Sequence, residues 1–234
     1  MKIGIMTAMS SEFEQLAKNL NNKKESTVGP FCYIGGEAGG NEIVLLQCGI
    51  GKVNAAAGAL ELIHTFSPDA IISTGVAGGI DAQIGVMDVV VSREIAYHDV
   101  WCGMGNVLGQ VQGMPPRFAA NERLLQCALS LDTETRIHAG LICCGDQFIT
   151  DRKELDVIKS NFPEGLAVDM ESASIAQVCH LYGIPFLSFR IISDTPGVKD
   201  HVEQYENFWG EIANRSFGVT QSFLHALPNS IDEL

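Results

Sequence analysis

The stretch LAVDMESASIA, residues 166–176, decides the fold, because it reads as the end of a strand joined to the start of a helix. Its first residues are apolar, as in a buried strand, and its last residues are small and apolar, as in a buried helix. Asp169 and Glu171 stand at the junction, on either side of Met170. Buried carboxylates are costly unless they are paired, hydrogen-bonded or used, so this junction predicts acids that hold a partner or a ligand.

The same alternation of short apolar runs and longer helical patterns extends outward from this junction. Most of the apolar runs are continuous, which predicts a sheet covered on both faces, an α/β sandwich. Residues 1–234 show no repeat or linker, so we expect a single domain. Residues 97–118 lack periodicity and predict a long functional loop. The predicted strands are 2–6, 42–48, 70–75, 86–92, 137–145, 166–168 and 183–194, and the predicted helices are 10–21, 53–66, 151–160, 170–182 and 203–226.

The composition restricts the partners that the chain can have. Its 234 residues carry a net charge of -13, which repels phosphate backbones and anionic lipids, so we expect no nucleic-acid or membrane binding. Residues 1–16 resemble neither a secretory signal nor a transmembrane helix. Seven cysteines without CxxC spacing predict reduced thiols in a cytoplasmic protein. No cluster of His, Cys or carboxylates has metal-ligand spacing, so we expect no metal.

Acids follow several of the predicted strands, with few cations among them. Ligands of open α/β sheets bind beyond the carboxyl ends of the strands, so these positions form the candidate site. Glu12, Glu171 and Asp194 suit hydroxyl binding and general acid–base catalysis. Each also has a structural interpretation. Glu12 and Glu171 fall in first turns of predicted helices, the former with Ser10 or Ser11 as N-cap, and Asp194 opens an Asp-Thr-Pro-Gly turn.

The glycine turn GIGK, residues 49–52, does not predict a nucleotide cofactor. It does not match the P-loop pattern, and as GxGxxG it lacks the last glycine. Asp69 falls where a dinucleotide fold has its acid, but it precedes a strand instead of ending one. A tight turn that leads into a closely packed helix explains the motif, so we expect no cofactor.

Six motifs stand in order along the chain: MKIGIMTAMSSE (1–12), CGIGKVNAA (48–56), STGVAGG (73–79), CGDQFI (144–149), VDMESASIAQVC (168–179) and FRIISD (189–194). Together they resemble the motifs of the 5'-methylthioadenosine/S-adenosylhomocysteine nucleosidase family, within the nucleoside phosphorylase superfamily. The resemblance implies a three-layer α/β/α sandwich with a central mixed, partly barrel-like sheet. It also implies hydrolysis of an N-glycosidic bond that releases adenine and a thio-substituted ribose, in methionine salvage.

The resemblance implies a role for each candidate acid. Glu12 activates the attacking water, Asp194 protonates or hydrogen-bonds N7 of the leaving adenine, and Glu171 binds ribose hydroxyls. Glycosidic cleavage develops oxocarbenium character, which a carboxylate stabilises, and it requires one ionised and one protonated acid. The further substrate-binding residues that the resemblance implies are Met170, Phe148, Ile149, Val168, Ala77, Gly78, Met9, Ile50, Tyr205, and Arg190 and Ser193 in support of the acids.

Three features differ from the family pattern and leave the preferred 5'-substituent open. Val76 stands where many relatives have Ser. Asp169 stands where Glu is common, and we expect Asp169 to have a structural hydrogen-bonding role near the helix start. Residues 100–113 differ from a loop that, in the family, comes from the partner subunit of a homodimer. Methylthio, homocysteinyl and 5'-deoxyadenosine substrates stay open, as does an aminodeoxyfutalosine nucleosidase.

Two rival functions use the same fold. A phosphate-dependent purine nucleoside phosphorylase needs cations around its phosphate, and here Lys52 and Arg93 are the nearby candidates. Glu12 and Glu14 in the first loop would repel phosphate. A nucleoside-binding protein without activity would not require the three acids together.

Overall fold

The computed structural model describes residues 1–196, 201–209, 213–230 and 232 of the chain. Strands and helices alternate over most of this length, as the sequence predicts. Ten strands lie in the described residues: β1 (Lys2–Thr7), β2 (Asn21–Val28), β3 (Phe31–Ala38), β4 (Asn41–Gln47), β5 (Ala70–Gly79), β6 (Val89–Tyr97), β7 (Phe118–Ala119), β8 (Ile137–Cys144), β9 (Gly165–Asp169) and β10 (Phe186–Asp194). Seven helices lie there too: α1 (Ser10–Ala17), α2 (Lys52–Phe66), α3 (Glu122–Leu129), α4 (Arg152–Asn161), α5 (Ser172–Tyr182), α6 (His201–Asn207) and α7 (Ala213–Ala226).

These strands form one mixed sheet that is partly closed on itself. Strand β10 pairs with β6 on one side and with β5 on the other, so β5, β9, β8, β6 and β10 close into a ring. Strands β1, β4, β3 and β2 continue from β5 as an open sheet, and β7 attaches to β6. The β1–β4, β1–β5, β5–β10, β6–β8 and β8–β9 pairs are parallel. The predicted mixed, partly barrel-like sheet is therefore confirmed.

Helices cover both faces of this sheet. One face packs against α1, α3 and α7 through a core that includes Leu16, Leu124 and Phe223. The other face packs against α2 and α5 through a core that includes Leu62 and Ile175, and a smaller cluster lies under α4. Burial of each such large apolar side chain contributes about 1.5–3 kcal/mol. The arrangement confirms the predicted three-layer sandwich.

The parallel register brings the carboxyl ends of several strands to one edge. In β1, β5 and β10, Met6, Ser73 and Ser188 lie side by side across the ladder. Strand β9 runs antiparallel to β5, but the two strands pair only where both end, with Val168 opposite Gly78 and Ala167 opposite Gly79, so the carboxyl end of β9 lies beside that of β5. The residues that follow β1 and end β5, β9 and β10 therefore converge, as the α/β pattern predicts.

The structure contains elements that the sequence did not predict. Strands β2 and β3 form an antiparallel hairpin at the sheet edge. The side chains of β2 (NNKKESTV) are exposed except for half-buried Val28, so this strand has no apolar periodicity to recognise. The short strand β7 and helix α3 were also not predicted.

Several predicted boundaries were wrong by a few residues. The first helix ends at Ala17 instead of residue 21, the strand predicted at 70–75 extends to Gly79, and the one at 86–92 lies at Val89–Tyr97. The last helix, predicted at 203–226, is divided into α6 and α7, and residues 210–212 between them lie outside the described residues. Across the described ranges, no helix combines the length and apolar character needed to cross a membrane.

Candidate active site

A cavity of about 100 Å³ lies where the strand carboxyl ends converge. The segment after β1, the ends of β5, β9 and β10, and helix α6 contribute to its wall. Neither Lys nor Arg is among the described residues that line it. The lining residues are Ala8, Met9, Glu12, Ile50, Val76, Ala77, Gly78, Gln147, Phe148, Ile149, Val168, Asp169, Met170, Glu171, Ser193, Asp194, Pro196 and Tyr205.

Glu12 is held in the cavity wall by backbone amides. It is the third residue of α1, whose N-cap is Met9 and not Ser10 or Ser11 as predicted. Its carboxylate accepts hydrogen bonds from the backbone N–H groups of Ala8 at 3.0 Å, Met9 at 3.0 Å and Val76 at 2.9 Å. The residue is only 1% exposed. Burial raises the pKa of Glu12, and the charge of Arg190 and the three amides oppose that rise.

Gly75 in β5 makes this position of Glu12 sterically accessible. Its φ is +155°, and a Cβ on this residue would lie 2.4 Å from Glu12 Oε1 and 2.9 Å from Arg190 Nη1. No other amino acid fits so close to the two side chains without displacing them. Gly75 was not among the functional residues predicted from the sequence, although it lies in the STGVAGG motif.

Glu171 lies at the start of α5, where it is the N-cap residue and not part of the first turn as predicted. Its Oε1 atom accepts a hydrogen bond of 3.0 Å from the backbone N–H of Gly51, in the GIGK turn. Burial raises the pKa of Glu171 to about 7; the Arg190 charge opposes this rise and the Asp169 charge adds to it. A carboxylate with this pKa is ionised in a substantial fraction of molecules at neutral pH.

Arg190 lies behind the cavity and does not line it, unlike the other predicted site residues. Its guanidinium is 2.8 Å from Asp169 and 3.9 Å from Glu171, and its side chain is 1% exposed. Its Nη2 also donates to Ser73 Oγ at 2.8 Å. Arg190 therefore lies on the sheet side of the acids, where the sequence predicts a residue that supports them, and its place among the substrate-binding residues stays a prediction.

Asp194 ends β10 next to a register shift. The shift lies between Ile192 and Asp194, and irregularities of this kind redirect a side chain at the end of a strand. Ser193 Oγ donates a hydrogen bond of 2.6 Å to Asp194 Oδ1, as predicted for a residue that supports the acid. Asp194 is 2% exposed and pairs with Gly78 of β5 across the ladder.

Apolar side chains form the opposite wall and the mouth. Phe148 and Tyr205 meet edge to face, with their ring centroids 5.5 Å apart. The Tyr205 hydroxyl donates to the Met9 sulfur at 3.5 Å, which connects α6 to the segment after β1. Phe148 and Ile50 are about half exposed, so the cavity has an apolar entrance and an acidic interior.

The two cations that a phosphate site would require are not placed for that role. The Lys52 ammonium lies 2.8 Å from Asp99 and 3.7 Å from Asp146, so two carboxylates already neutralise it. Arg93 belongs to β6 and does not line the cavity. In the part of the chain that the structure describes, no group of three or more His, Cys, Asp or Glu could hold a metal ion.

Comparison with known proteins gives one consistent result. The phosphorylase superfamily profile matches residues 2–225. The 5'-methylthioadenosine/S-adenosylhomocysteine nucleosidase of Anoxybacillus flavithermus is 40% identical over 97% of this chain and 99% of that protein, and its namesake from Chromohalobacter salexigens is 40% identical over 97% of each.

Solved structures agree with the sequence relatives. The nucleosidase of Colwellia psychrerythraea, in complex with adenine, superposes with a TM-score of 0.92 at 34% identity over 98% of this chain and 97% of that one. The Streptococcus pneumoniae nucleosidase, with the transition-state inhibitor MT-ImmA, superposes with a TM-score of 0.91 at 37% identity over 97% of this chain and 100% of that one. The chain belongs to the 5'-methylthioadenosine/S-adenosylhomocysteine nucleosidases of the phosphorylase superfamily.

Proposed function

We propose that the protein hydrolyses the N-glycosidic bonds of 5'-methylthioadenosine and S-adenosylhomocysteine, releasing adenine and the thioribose in methionine salvage. The observation that carries this proposal is the convergence of Glu12, Glu171 and Asp194, all buried, on one cavity whose described lining residues include no Lys or Arg. Glycosidic hydrolysis needs a base for water, a hold on the sugar and an acid for the leaving base. The cavity offers one carboxyl group for each need.

Glu171 binds the ribose hydroxyls in this proposal. The Gly51 amide holds its Oε1 atom, which fixes the carboxylate direction before the sugar enters. A preorganised hydrogen-bond acceptor positions the sugar for attack without further reorganisation. Met170, between Asp169 and Glu171, lines the cavity beside it and forms the floor under the ribose.

Glu12 activates the attacking water. Three backbone amides hold both of its oxygens, so the carboxylate cannot swing away from the cavity when it takes a proton. In its ionised form it also stabilises the positive charge that develops on the ribose. The raised pKa of Glu12 makes it a stronger base than a solvent-exposed glutamate.

Asp194 protonates or hydrogen-bonds N7 of the leaving adenine. The Ser193 hydroxyl orients its carboxyl group from one side. Phe148 packs on the purine, Ile149 offers it backbone hydrogen bonds, and Tyr205 closes over the site. Met9 and Ile50 lie at the apolar end of the cavity, where a polarizable sulfur suits a thioether substituent.

Hydrolysis is favoured over phosphorolysis by the charges around the cavity. Ionised Glu12 and Glu171 repel phosphate, and Lys52 is neutralised by two carboxylates. The test is the rate of adenine release from 5'-methylthioadenosine with and without inorganic phosphate, with the sugar product identified. We expect equal rates and a free thioribose. Strict dependence on phosphate, with a ribose 1-phosphate as product, would refute the proposal.

We also propose a homodimer in the cytoplasm. Trp101 is 66% exposed and Met104 is 98% exposed. The Lys52–Asp99 ion pair joins the loop that carries them to the start of α2, where Ile50 and Val53 are exposed as well. An apolar surface of this kind marks a protein contact. Light scattering after size exclusion tests it. We expect a dimer that Trp101→Ser weakens, and a monomer at all concentrations would contradict the proposal.

A further inference from the structure

Asp169 is a buried carboxylate to which the proposed chemistry assigns no task. It ends β9, two residues before Glu171, and its side chain is 1% exposed. It accepts a hydrogen bond from the Ser172 backbone N–H at 3.3 Å and a short one from the Ser172 hydroxyl. Asp169 also pairs with the Arg190 guanidinium, whose Nε atom lies 2.8 Å away. The predicted structural hydrogen bond is therefore present, but an ion pair accompanies it.

Arg190 connects Asp169 to the two acids that act on the sugar and the water. Its Nη2 atom is 3.9 Å from Glu171 Oε2. A Cβ atom placed on Gly75 would lie 2.9 Å from Arg190 Nη1 and 2.4 Å from Glu12 Oε1. This guanidinium nitrogen and the Glu12 carboxylate therefore face the same small volume beside Gly75. One buried cation therefore serves three buried carboxylates. Like charges that share one counterion disfavour each other's ionised forms.

Serine hydroxyls fix the guanidinium in this position. Ser73 Oγ accepts from Nη2 at 2.8 Å, and Ser188 Oγ accepts from Nε at 3.2 Å. Ser172 Oγ contacts Arg190, Ser188 and Asp169 at once. The planar guanidinium is thus held by fixed partners, and Asp169 is the partner that carries a full charge at short distance.

We propose that Asp169 is a positioning residue, which holds Arg190 against the sheet and, through its own negative charge, raises the pH at which the enzyme becomes active. The proposal rests on the proposed function, because it concerns the protonation of the acids that act there. Removal of the Asp169 charge would leave more of the Arg190 charge for Glu12 and Glu171. Both acids would then be ionised at lower pH, and the acid limb of the pH–rate profile would move down.

The other titratable groups around the cluster do not produce this limb. Burial raises the pKa of Cys48, which directly follows β4, to about 12, and burial also raises the pKa of Cys144 on β8. Burial raises the pKa of Tyr205 on α6 and lowers the pKa of His98 after β6. Burial therefore favours the uncharged form of each of these four groups. Asp194 on β10 also faces the cavity, and its role in the leaving step concerns a different limb of the profile.

The experiment compares kcat/KM for adenine release from 5'-methylthioadenosine as a function of pH in the full-length protein and its variants. Asp169→Asn and Asp169→Ser both remove the charge, with side chains of different size, and Asp169→Glu keeps the charge. As a control, Asp156→Asn removes a carboxylate from an exposed ion pair with Arg152. We expect both neutral variants to shift the acid limb down by about one pH unit. Asp169→Glu and Asp156→Asn should leave it at the wild-type position.

The outcomes separate this inference from the proposed function. If either neutral variant folds, as judged by circular dichroism, and lowers the plateau without moving the limb, Asp169 has only a structural role and the inference is wrong. A limb that moves equally in Asp169→Glu would also overturn it, because the shift would not follow the charge. A wild-type protein that releases no adenine would refute the proposed function itself, before any variant is compared.

Discussion

Replacement of Glu12 by Gln tests the proposed base most directly. The substitution keeps the size of the side chain and removes its charge and its ability to take a proton from water. In the wild-type structure, Glu12 Oε2 accepts from Ala8 and Met9, and Oε1 accepts from Val76. A glutamine has one acceptor oxygen and one NH₂ donor, so it can satisfy only one of these two sides.

The effects of Glu12→Gln on turnover and on stability can both be estimated from the structure. Loss of a general base reduces turnover by about 10²–10⁴-fold, or roughly 2.7–5.4 kcal/mol in the activation barrier. The unsatisfied amide of Val76, if the glutamine oxygen faces α1, costs about 1–3 kcal/mol of stability. Removal of a buried charge opposes that cost, since burial raises the pKa of Glu12. We therefore expect a folded protein whose melting temperature changes by less than about 10 °C.

The assay is single-turnover release of adenine from 5'-methylthioadenosine, with adenine affinity measured by calorimetry in the same preparation. Glu14→Gln is the matched control, because Glu14 lies on the same helix with an exposed side chain. We expect Glu14→Gln to retain wild-type turnover, and Glu12→Gln to bind adenine but cleave slowly. A Glu12→Gln turnover within tenfold of wild type would refute the assignment of Glu12 as the base.

Three further changes have expected outcomes of their own. Asp194→Asn should reduce turnover by about 10²–10⁴-fold with adenine binding retained in calorimetry, and near-normal turnover would remove Asp194 as the general acid. The pKa of Glu171, about 7, lies above the ordinary 4.5, so ionisation of this group costs the wild type about 3 kcal/mol of stability as pH rises between these values. Glu171→Gln should therefore have a higher melting temperature than the wild type at pH 8 but not at pH 5. A gain in melting temperature that is independent of pH would contradict this. Gly75→Ala should lower kcat at least about tenfold by displacing Glu12, since its Cβ would lie 2.4 Å from Oε1. Gly218→Ala, on α7 with no neighbouring atom within 4 Å of the added Cβ, is its control, and equal kcat in the two variants would show that the close approach is not needed.

The acids of the site were predictable because strand order leaves a clear trace in the sequence. Continuous apolar runs mark β1, β5 and β10, and parallel neighbours end at one edge of the sheet. Glu12 follows β1 and Asp194 ends β10, so the convergence of these two acids could be expected before the structure was known. Glu171 follows β9, which is antiparallel to β5, so its place beside them depends on the overlap of the two carboxyl ends. Tyr205 was predicted from the family resemblance, although its spacing after Asp194 differs, and it lines the cavity.

The contacts that orient the acids were not predictable, because they join residues far apart in the sequence. The Gly51 amide and the Glu171 carboxylate are 120 residues apart, and the Val76 amide and Glu12 are 64 residues apart. No local pattern marks an amide as a future hydrogen-bond donor. The glycine at position 75 carries a similar long-range constraint, because its need for hydrogen in place of Cβ depends on Glu12 and Arg190 together.

The closure of the sheet was beyond local patterns as well. It depends on the two-sided pairing of β10, and the sequence of that strand shows only that both of its faces are buried. The β2–β3 hairpin escaped prediction for the opposite reason, since its edge strand is polar and exposed. Apolar periodicity identifies strands that bury side chains, and an edge strand held by backbone pairing alone lacks it.

In the proposed mechanism, the charges around Arg190 separate the pH range in which the buried acids favour the folded state from the pH range in which they act. With Glu12, Asp169 and Glu171 ionised, one guanidinium faces three carboxylates, and we propose that the excess negative charge stabilises a cationic sugar and repels phosphate. The same excess destabilises the fold, because burial raises the pKa of both Glu12 and Glu171. Folding therefore favours their protonated forms, and the chemistry requires their ionised forms. We infer that the contribution of these acids to stability is greatest well below about pH 7, and that activity increases where that contribution is lost.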